Sequence, residues 1–481
     1  MQQVSCPGCG APVQFKSAAS VMVVCQFCKT TLLKDADSVS NLGKMSEVLE
    51  DYSPLQIGTS GQFGPRPFSL IGRIQLQYAD GYWNEWYVLF DDGSNGWLSD
   101  ASGQYTFTIE TRVDANMPLF DKLMPGNILS LPGQSYTTSD VRTARCTAGQ
   151  GELPFKVGPG WVAKVADFRA NDRFLSLDYS DADTPRVYMG QSLQLADLKP
   201  QLLRDPDRIK DAAGRFHGKV QALSCPSCGA PVNAVPGMTV HIVCPSCHAE
   251  VDTSESVAKV LSAGAKVAAV HFTVPLGGEA VLDGTRYSVL GAMRRADDEG
   301  TEWSEYLLYA PGKKFIWLVE TDEGWQRAEV LDRWPSWNGS GRVMLDNNWF
   351  VKTSEYGATV KFAVGSFNWR VSVGDTVRVL EFTGGALRLA AEVSAAELTW
   401  SRSAKLPLDQ VRAWFGGHVN VTESPHPTHM QSARRILIAL LVFNAIPFLF
   451  ATSNSLPYAL LGAAAIYIPA WVLDRMDAKG L

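Results

Sequence analysis

Two identically spaced groups of four cysteines constrain this chain more than any other feature. Each group follows the pattern Cys-x2-Cys-x15-Cys-x2-Cys. Two Cys-x2-Cys turns aim four thiolates at one point when a hairpin between them brings the second pair to the far side of a tetrahedron. We therefore predict two structural Zn²⁺ sites in two zinc ribbons. The expected ligands are Cys6, Cys9, Cys25 and Cys28 in the first ribbon, and Cys225, Cys228, Cys244 and Cys247 in the second.

Disulfide bonds and redox-active dithiols are the competing interpretations of these cysteines. Disulfides need an oxidising compartment, whereas residues 1–5 show neither the basic nor the apolar region of a secretory signal. A redox Cys-x2-Cys usually stands alone beside a βαβ pattern. Four thiolates leave no open coordination position, so the expected ions stabilise the fold and do not catalyse. Cys146, the ninth cysteine, is expected to be a lone thiol.

The chain is also a tandem duplication. Cys225 follows Cys6 by 219 positions, and both ribbons open with Cys-Pro-x-Cys-Gly-Ala-Pro-Val. The glycine in that motif, Gly10 or Gly229, is expected to adopt the positive φ that turns the chain back. Later matches at nearly the same offset pair 71–72 with 290–291, 83–87 with 303–307, 97–98 with 317–318, 151–155 with 365–369, and 167–168 with 381–382.

The segment after each ribbon has the pattern of a β domain. Apolar and polar residues alternate over 69–78, and the run 85–90 ends at an Asp-Asp-Gly turn signal. Short strands at roughly ten-residue spacing are typical of a barrel or sandwich, and 41 glycines and 26 prolines favour turns over long helices. We therefore predict a mainly β fold. Helical periodicity is confined to two short stretches, 39–49 and 257–267.

The C-terminal region changes character. No Asp, Glu, Lys or Arg occurs in the 38 residues 436–473, although helices of soluble proteins normally keep a charged face. We therefore predict a two-helix transmembrane hairpin. A buried helical hairpin of a soluble domain is the alternative. Because Arg434, Arg435 and Arg475 flank the hairpin and its turn has no charge, both ends are expected in the cytoplasm.

These features divide the chain into nine predicted segments. They are zinc ribbon 1 (1–37), a linker (38–57), β domain 1 (58–200), a linker (201–219), zinc ribbon 2 (220–253), a linker (254–275), β domain 2 (276–412), a juxtamembrane tether (413–433) and the transmembrane hairpin (434–475).

The order of these motifs resembles a family of uncharacterised bacterial proteins with tandem domains of unknown function four-one-seven-eight. The resemblance rests on the ribbon motif quoted above and on the Trp-x-Glu-Trp/Tyr and Trp-Leu motifs of the β domains, and it extends to about residue 412. It implies a place among membrane-stress systems. As site residues it carries over only the eight cysteines.

Aromatic and acidic residues of the β domains are candidates for a second kind of site, one that binds a ligand or a substrate. Tryptophans can stack sugars or bases, but their places in apolar strands favour core packing for Trp83, Trp86, Trp97, Trp303 and Trp317. Glu85 and Glu305 occupy equivalent places in the two repeats. Either they belong to a site or they lie on the solvated side of an alternating strand, and we favour the solvated side.

Three functions remain in competition. The leading hypothesis is a membrane-anchored cytoplasmic adaptor that binds protein partners at the inner face of the membrane and contacts the bilayer through 436–473. A nucleic-acid-binding protein is the second, although the net charge is −6 and residues 220–256 contain no lysine or arginine, so no nucleic acid is expected. The third is a hydrolase-like enzyme with Glu85, Glu152 and Glu305 lining an aromatic cleft. We expect no enzyme, because no catalytic motif occurs.

Overall fold

The computed structural model describes most of the chain, with gaps. The described residues are 2–34, 39–44, 53–78, 81–101, 103–156, 161–205, 224–232, 239, 241–252, 259–262, 270–310, 313–337, 339–416, 433–434, 436–438 and 461–472. The described chain is mainly β, as predicted.

The first ribbon is built from short strands. They are β1 (Gln2–Ser5), β2 (Pro12–Phe15), β3 (Met22–Val24), β4 (Thr30–Lys34) and β5 (Val39–Lys44). β1 and β2 form a separate two-stranded sheet, whereas β3, β4 and β5 pair in order. The turn of each hairpin, β1–β2 and β3–β4, carries one Cys-x2-Cys pair.

A closed barrel follows the first ribbon. Its strands are β6 (Ser60–Phe63), β7 (Arg66–Tyr78), β8 (Gly81–Phe90), β9 (Asn95–Ala101), β10 (Gln104–Glu110), β11 (Ile128–Leu131), β12 (Gln134–Leu153), β13 (Val162–Ala170), β14 (Arg173–Asp178) and β15 (Arg186–Leu193). Eight of them run antiparallel in the order β7-β8-β9-β10-β15-β14-β13-β12, and pairing of β12 with β7 closes the circle. β6 and β11 add to β7 and β12.

The second repeat has the same topology. Its strands are β16 (His241–Val243), β17 (Glu250–Asp252), β18 (Lys259–Ser262), β19 (Glu279–Leu282), β20 (Thr285–Ala296), β21 (Glu302–Tyr309), β22 (Ile316–Thr321), β23 (Gly324–Val330), β24 (Arg342–Leu345), β25 (Asn348–Phe367), β26 (Thr376–Gly384), β27 (Leu387–Val393) and β28 (Leu398–Leu406). Pairing of β25 with β20 closes the second barrel. The duplication read from the sequence is thus a duplication of one ribbon-and-barrel unit.

Each ribbon continues the wall of its barrel. In the first repeat β3 pairs with the end of the long strand β12, with Val24 opposite Gly151. In the second, β16 pairs with the end of β25, with Val243 opposite Gly365. Backbone hydrogen bonds therefore join metal-binding hairpin and barrel in one sheet.

Two matched glycines allow this junction. Gly151 has φ +68° and pairs with Gly72, just where β12 passes from β7 to β3. A Cβ atom on Gly72 would lie 1.8 Å from the carbonyl oxygen of Glu152. Gly365 is the equivalent of Gly151 in the second repeat and has φ +93°. A Cβ atom on Gly365 would lie 2.4 Å from the carbonyl oxygen of Leu290. Only glycine lets the backbones come this close.

Gly72→Ala is therefore expected to destabilise the first barrel by about 1–3 kcal/mol, because the added methyl group meets a backbone oxygen that cannot turn aside. Urea denaturation followed by tryptophan fluorescence measures the change. Gly341→Ala is the control, since the nearest atom to its added Cβ is 4.0 Å away. Equal unfolding midpoints for both variants would contradict the close approach.

The strands of the barrel have different surroundings on their two faces. One face of β8 packs Trp86, Val88 and Phe90 into an apolar cluster outside the barrel that is closed over by Leu55 and Leu198. The opposite face carries Glu85. The charges of Asp167 on β13 and Asp178 on β14 act on Glu85, although neither strand pairs with β8. Glu85 therefore points into the barrel and faces the opposite wall.

The two repeats contact each other through β12 and the loop before β28. The backbone N–H of Val141 donates to Ala396 O at 2.9 Å, and Arg142 forms an ion pair with Glu397 at 3.0 Å. A second contact joins Trp334 N–H to Asn171 O at 2.9 Å. The repeats are therefore bound by backbone and side-chain contacts as well as by the linker.

The helical prediction for 39–49 and 257–267 is wrong where the structure describes these stretches. β5 pairs with β4, and β18 pairs with β17. A ribbon hairpin leaves an edge of unpaired N–H and C=O groups, and a following segment with few apolar residues gains more by pairing with that edge than by forming an isolated short helix.

Little of the C-terminal region is described. A short helix, α1 (Leu408–Trp414), follows β28, and residues 461–472 are helical. Within the described part of the chain, no helix has both the length and the apolar character that a bilayer crossing requires. Most of the predicted tether (413–433) and hairpin (434–475) lies outside the described residues.

Candidate metal centres and barrel interiors

The first four predicted ligands come together at one point. Sγ of Cys6 lies 3.5 Å from Sγ of Cys28, and Sγ of Cys9 lies 3.8 Å from Sγ of Cys25. All four sulfurs lie within 4.8 Å of one another. Cys6 and Cys25 are buried, whereas Cys9 is exposed.

The second group repeats this arrangement. The Sγ atoms of Cys225 and Cys247, and those of Cys228 and Cys244, are each 3.7 Å apart. Disulfide sulfurs are about 2.05 Å apart, so neither group contains disulfides. A tetrahedron with Zn–S bonds of about 2.3 Å has sulfurs about 3.8 Å apart. Both groups therefore have the spacing for one tetrahedral metal ion each.

All four Cys-x2-Cys turns share one backbone geometry. In the first, Gly10 N–H donates to Cys6 O at 2.7 Å. Gly10 and Gly229 have φ of +77° and +76°, which confirms the expected left-handed turn. The second turn of each ribbon does the same without glycine, since Lys29 and His248 have φ of +60° and +56°. Sequence reasoning missed these two, because only the glycines are a visible signal.

Hydrogen bonds favour the thiolate at one cysteine of each group. Hydrogen bonding to the Thr30 side chain and backbone lowers the pKa of the Cys28 thiol to about 6. In the second ribbon, a hydrogen bond from the Ala249 backbone lowers the pKa of Cys247 to about 7. At Cys9 and Cys228 a backbone hydrogen bond also lowers the pKa, but hydrogen bonding to the other cysteines and burial raise it to about 12. A thiolate is the form that binds a metal ion.

Glu152 fastens the first ribbon to its barrel. Its Oε1 accepts the backbone N–H of Lys16 at 2.8 Å. Its Oε2 accepts the N–H of Ser17 at 3.0 Å and the hydroxyl of Ser20 at 2.8 Å. Glu152 is only 3% exposed, so these donors satisfy a buried carboxylate. Its role is structural, and it lies at the ribbon junction and not in an aromatic cleft.

Glu152→Ala is expected to leave three donors without an acceptor, two of them on the buried residues Ser17 and Ser20, and to cost about 1–3 kcal/mol. Hydrogen exchange should become faster at the amides of Lys16 and Ser17. Glu110→Ala, at an exposed position of β10, should leave exchange there unchanged. Unchanged protection of both amides in Glu152→Ala would refute the fastening role.

The second repeat fastens its ribbon with different residues. Ser366 stands where the first repeat has Glu152. Instead, His241 Nδ1 accepts the backbone N–H of Val371 at 3.1 Å, and the Ser372 hydroxyl donates to Glu250 at 3.0 Å. Burial lowers the pKa of His241 to about 4, so the imidazole is neutral at pH 7.

Glu85 lies inside the first barrel, which corrects the expectation that it lies on the solvated side of its strand. Trp83 Nε1 and the Ser99 hydroxyl each donate to its carboxyl group at 2.7 Å. Burial raises the pKa of Glu85 to about 7, and the charges of Asp167 and Asp178 add to the rise. Among the described residues, no lysine or arginine forms an ion pair with it.

Glu305 lies inside the second barrel, so the solvated-side expectation is wrong for this residue as well. Trp303 Nε1 donates to its Oε1 at 2.7 Å, as Trp83 does to Glu85. The difference is a cation: the Arg295 guanidinium lies 3.1 Å from Glu305 Oε1 and 3.3 Å from Glu392 Oε2. Burial raises the pKa of Glu305, and Arg295 opposes the rise.

Other ionisable groups line the first barrel. Burial raises the pKa of Asp167, whereas Ser176 opposes the rise by hydrogen bonding. Burial also raises the pKa of Asp140 to about 7, although the neighbouring Arg142 opposes this. Arg142 stacks on Tyr78 with 4.0 Å between guanidinium and ring centroid. The interior of the first barrel is thus polar in part, beside the apolar cluster that contains Ile74 and Leu76.

The three acidic residues of the enzyme alternative do not come together among the described residues. Glu85 and Glu305 lie in different barrels, and Glu152 lies at a ribbon junction. Core packing is confirmed for Trp86, which is 1% exposed. Trp83, Trp97 and Trp317 are partly buried against apolar clusters, and the Trp303 ring packs edge-on against Tyr356.

Comparisons with known proteins return one family. Its model, described as Domain of unknown function (DUF4178), matches the chain twice, over residues 56–195 and 275–408. Each match covers the strands of one barrel. No curated protein and no solved structure matches the chain.

Proposed function

The chain belongs to the DUF4178 family, with two copies of its domain, and we propose that it is a zinc-stabilised adaptor whose barrels bind protein partners. The observation that carries this proposal is the continuity of each metal-binding hairpin with a barrel wall, through β3–β12 and β16–β25. Such a ribbon braces the barrel instead of acting as a separate module. Contacts between the repeats also hold the two braced barrels together.

Zinc is the proposed ion because of its ligands. Four thiolates at tetrahedral spacing suit Zn²⁺ or iron, and zinc brings no redox chemistry to a scaffold. The closed set of four ligands leaves no position for substrate or water. Each ion would therefore act on stability alone.

We also propose that the adaptor is anchored at the inner face of a bacterial cytoplasmic membrane, with a link to envelope stress. Support comes from the sequence: residues 436–473 carry no charge, and Arg434, Arg435 and Arg475 flank them. The reducing cytoplasm would keep the eight thiols available to metal.

Membrane fractionation and partner capture test the proposal together. The full chain is expected in the membrane pellet after a carbonate wash, whereas a variant ending at residue 433 should be in the supernatant.

Both forms are then crosslinked in cells, with and without envelope stress, and purified by affinity. A defined partner recovered with the full chain, and lost when Cys25 and Cys244 are both replaced by serine, supports an adaptor. A full chain in the supernatant contradicts the anchor, and recovery of no specific partner contradicts the adaptor.

A further inference from the structure

The contact between the two repeats joins two different surfaces. On the first barrel it uses the strand surface, which consists of residues 140–142 and 169–171. On the second barrel it uses the loop surface, which consists of residues 331–336 and 394–397. A contact between unlike surfaces is head-to-tail. Because both barrels have the same topology, the chain holds a second strand surface and a second loop surface that this contact does not use.

The unused strand surface belongs to the second barrel and consists of residues 354–356 and 383–385. Its first segment pairs with β26 in the same register in which residues 140–142 pair with β13. Gly385 is the equivalent of Asn171, because each opens the turn that follows the matched strand, with φ of +64° and +57°.

Two large apolar side chains lie exposed beside the unused strand surface. Val351 pairs with Thr383 and is 49% exposed. Trp349 precedes it by two residues, so it lies on the same face of β25, and it is 62% exposed. The first barrel has the polar residues Ser135 and Thr137 at these two positions.

The unused loop surface belongs to the first barrel and consists of residues 111–119 and 180–184, between β10 and β11 and between β14 and β15. The Met-Pro-Leu-Phe motif of 117–120 matches the Trp-Pro-Ser-Trp motif of 334–337. In both motifs the first and last residues pack against an apolar cluster of their own barrel. The two motifs therefore occupy equivalent places.

Leu119 stands where the existing contact has Ser336. The Ser336 hydroxyl donates to the Asn171 side chain at 2.8 Å, whereas Leu119 is 58% exposed. Both unused surfaces thus carry exposed apolar side chains, Leu119 on one and Trp349 with Val351 on the other, where the surfaces already in contact are polar. Their exposure also shows that the two unused surfaces do not meet within one chain.

We propose that the unused strand surface of one chain binds the unused loop surface of a second copy, so that the protein assembles head-to-tail. Trp349, Val351 and Leu119 would form the apolar part of the contact, since exposed apolar side chains gain free energy when they are buried together. Each added chain presents the same two surfaces again, which gives a ring or a filament. This inference goes beyond the adaptor function and does not rest on it, because it comes from the comparison of the two repeats alone.

Size-exclusion chromatography with light scattering tests the assembly on the detergent-solubilised full-length chain. The protein mass, with detergent subtracted, is expected to rise above that of one chain as the concentration increases. Val351→Asp is expected to weaken self-association about tenfold or more, because it places a charge in an apolar contact. Val281→Asp is the matched control, since Val281 is also 49% exposed in a strand, β19, but belongs to neither surface. If Val351→Asp fails to fold, Trp349→Asp replaces it.

A mixture of two defective variants tests the head-to-tail direction. Leu119→Asp damages the loop surface and is expected to weaken self-association as Val351→Asp does. Mixed together, the two variants should form pairs of chains and nothing larger, because each keeps the surface that the other lacks. The proposal is overturned by a native chain that stays single at every concentration, by an equal loss in Val281→Asp, or by a mixture that forms no pairs.

Discussion

Replacing Cys25 with serine is expected to lower the zinc content of the purified chain from two ions to one and to unfold the first ribbon. Cys25 is fully buried, and its Sγ is one of the four sulfurs of the first group, 3.8 Å from Sγ of Cys9. A buried hydroxyl cannot replace a thiolate as a ligand. Structural zinc contributes about 10–16 kcal/mol to the folding of zinc-finger peptides at pH 7. The ribbon has a small apolar cluster of its own, but chains below about 40 residues usually need a metal or disulfides to fold, so this cluster is no comparable source of stability.

Metal analysis by mass spectrometry gives the zinc content of each variant. Cys146→Ser is the matched control, because Cys146 is also buried but lies in the barrel wall, away from both sulfur groups. It should keep two ions. Cys244→Ser, the equivalent change in the second ribbon, should again keep one. Two ions in Cys25→Ser would mean that the sulfur groups are not the metal sites.

Loss of the first ion should also destabilise the adjacent part of the barrel wall, because β3 shares backbone hydrogen bonds with β12. Hydrogen exchange is expected to accelerate at residues 151–153, which pair with β3. The strands β13 and β14, on the far side of β12, should keep their protection. Faster exchange confined to residues 2–34 would show that the ribbon is an independent module and not a brace.

The ribbons and the duplication could be predicted from sequence because their signals are local or periodic. Four cysteines at fixed spacing specify a metal site whatever surrounds them. Alternation over 69–78 likewise identified a strand, now β7. The equivalent glycines 72 and 291 are visible in the sequence as repeated residues. The need for glycine comes from a backbone oxygen that lies close to any added Cβ, and only the tertiary structure shows that contact.

Other features could not be predicted because they depend on how strands close into a barrel. An alternating strand has two faces, and periodicity does not say which of them meets water. In a closed barrel both faces of β8 are covered, one by an apolar cluster and one by the opposite wall. Glu85 and Glu305 were assigned to the solvated side for this reason. Similarly, 39–44 and 259–262 became strands because a hairpin edge was available to them.

Replacing Glu85 with glutamine is expected to make the free energy of unfolding less dependent on pH. Burial raises the pKa of Glu85 from 4.5 to about 7. Between these values the folded protein holds a proton that the unfolded chain has released, so the free energy of unfolding falls as pH rises. The difference amounts to about 3 kcal/mol when complete above pH 7. Glutamine keeps an acceptor for Trp83 and carries no charge, so this loss should disappear.

Urea denaturation at pH 5 and pH 8 measures the effect. Relative to the native chain, Glu85→Gln should gain about 2.5 kcal/mol more stability at pH 8 than at pH 5, because a part of the effect is already present at pH 5. Glu305→Gln should do the reverse and destabilise the protein at pH 8, because it leaves the buried Arg295 with Glu392 alone. The same substitution at equivalent positions thus changes the free energy of unfolding at pH 8 in opposite directions. The ion pair with Arg295, present only at Glu305, causes the difference. Equal pH dependence in the native chain and Glu85→Gln would show that the carboxyl group is ionised in the fold at pH 5.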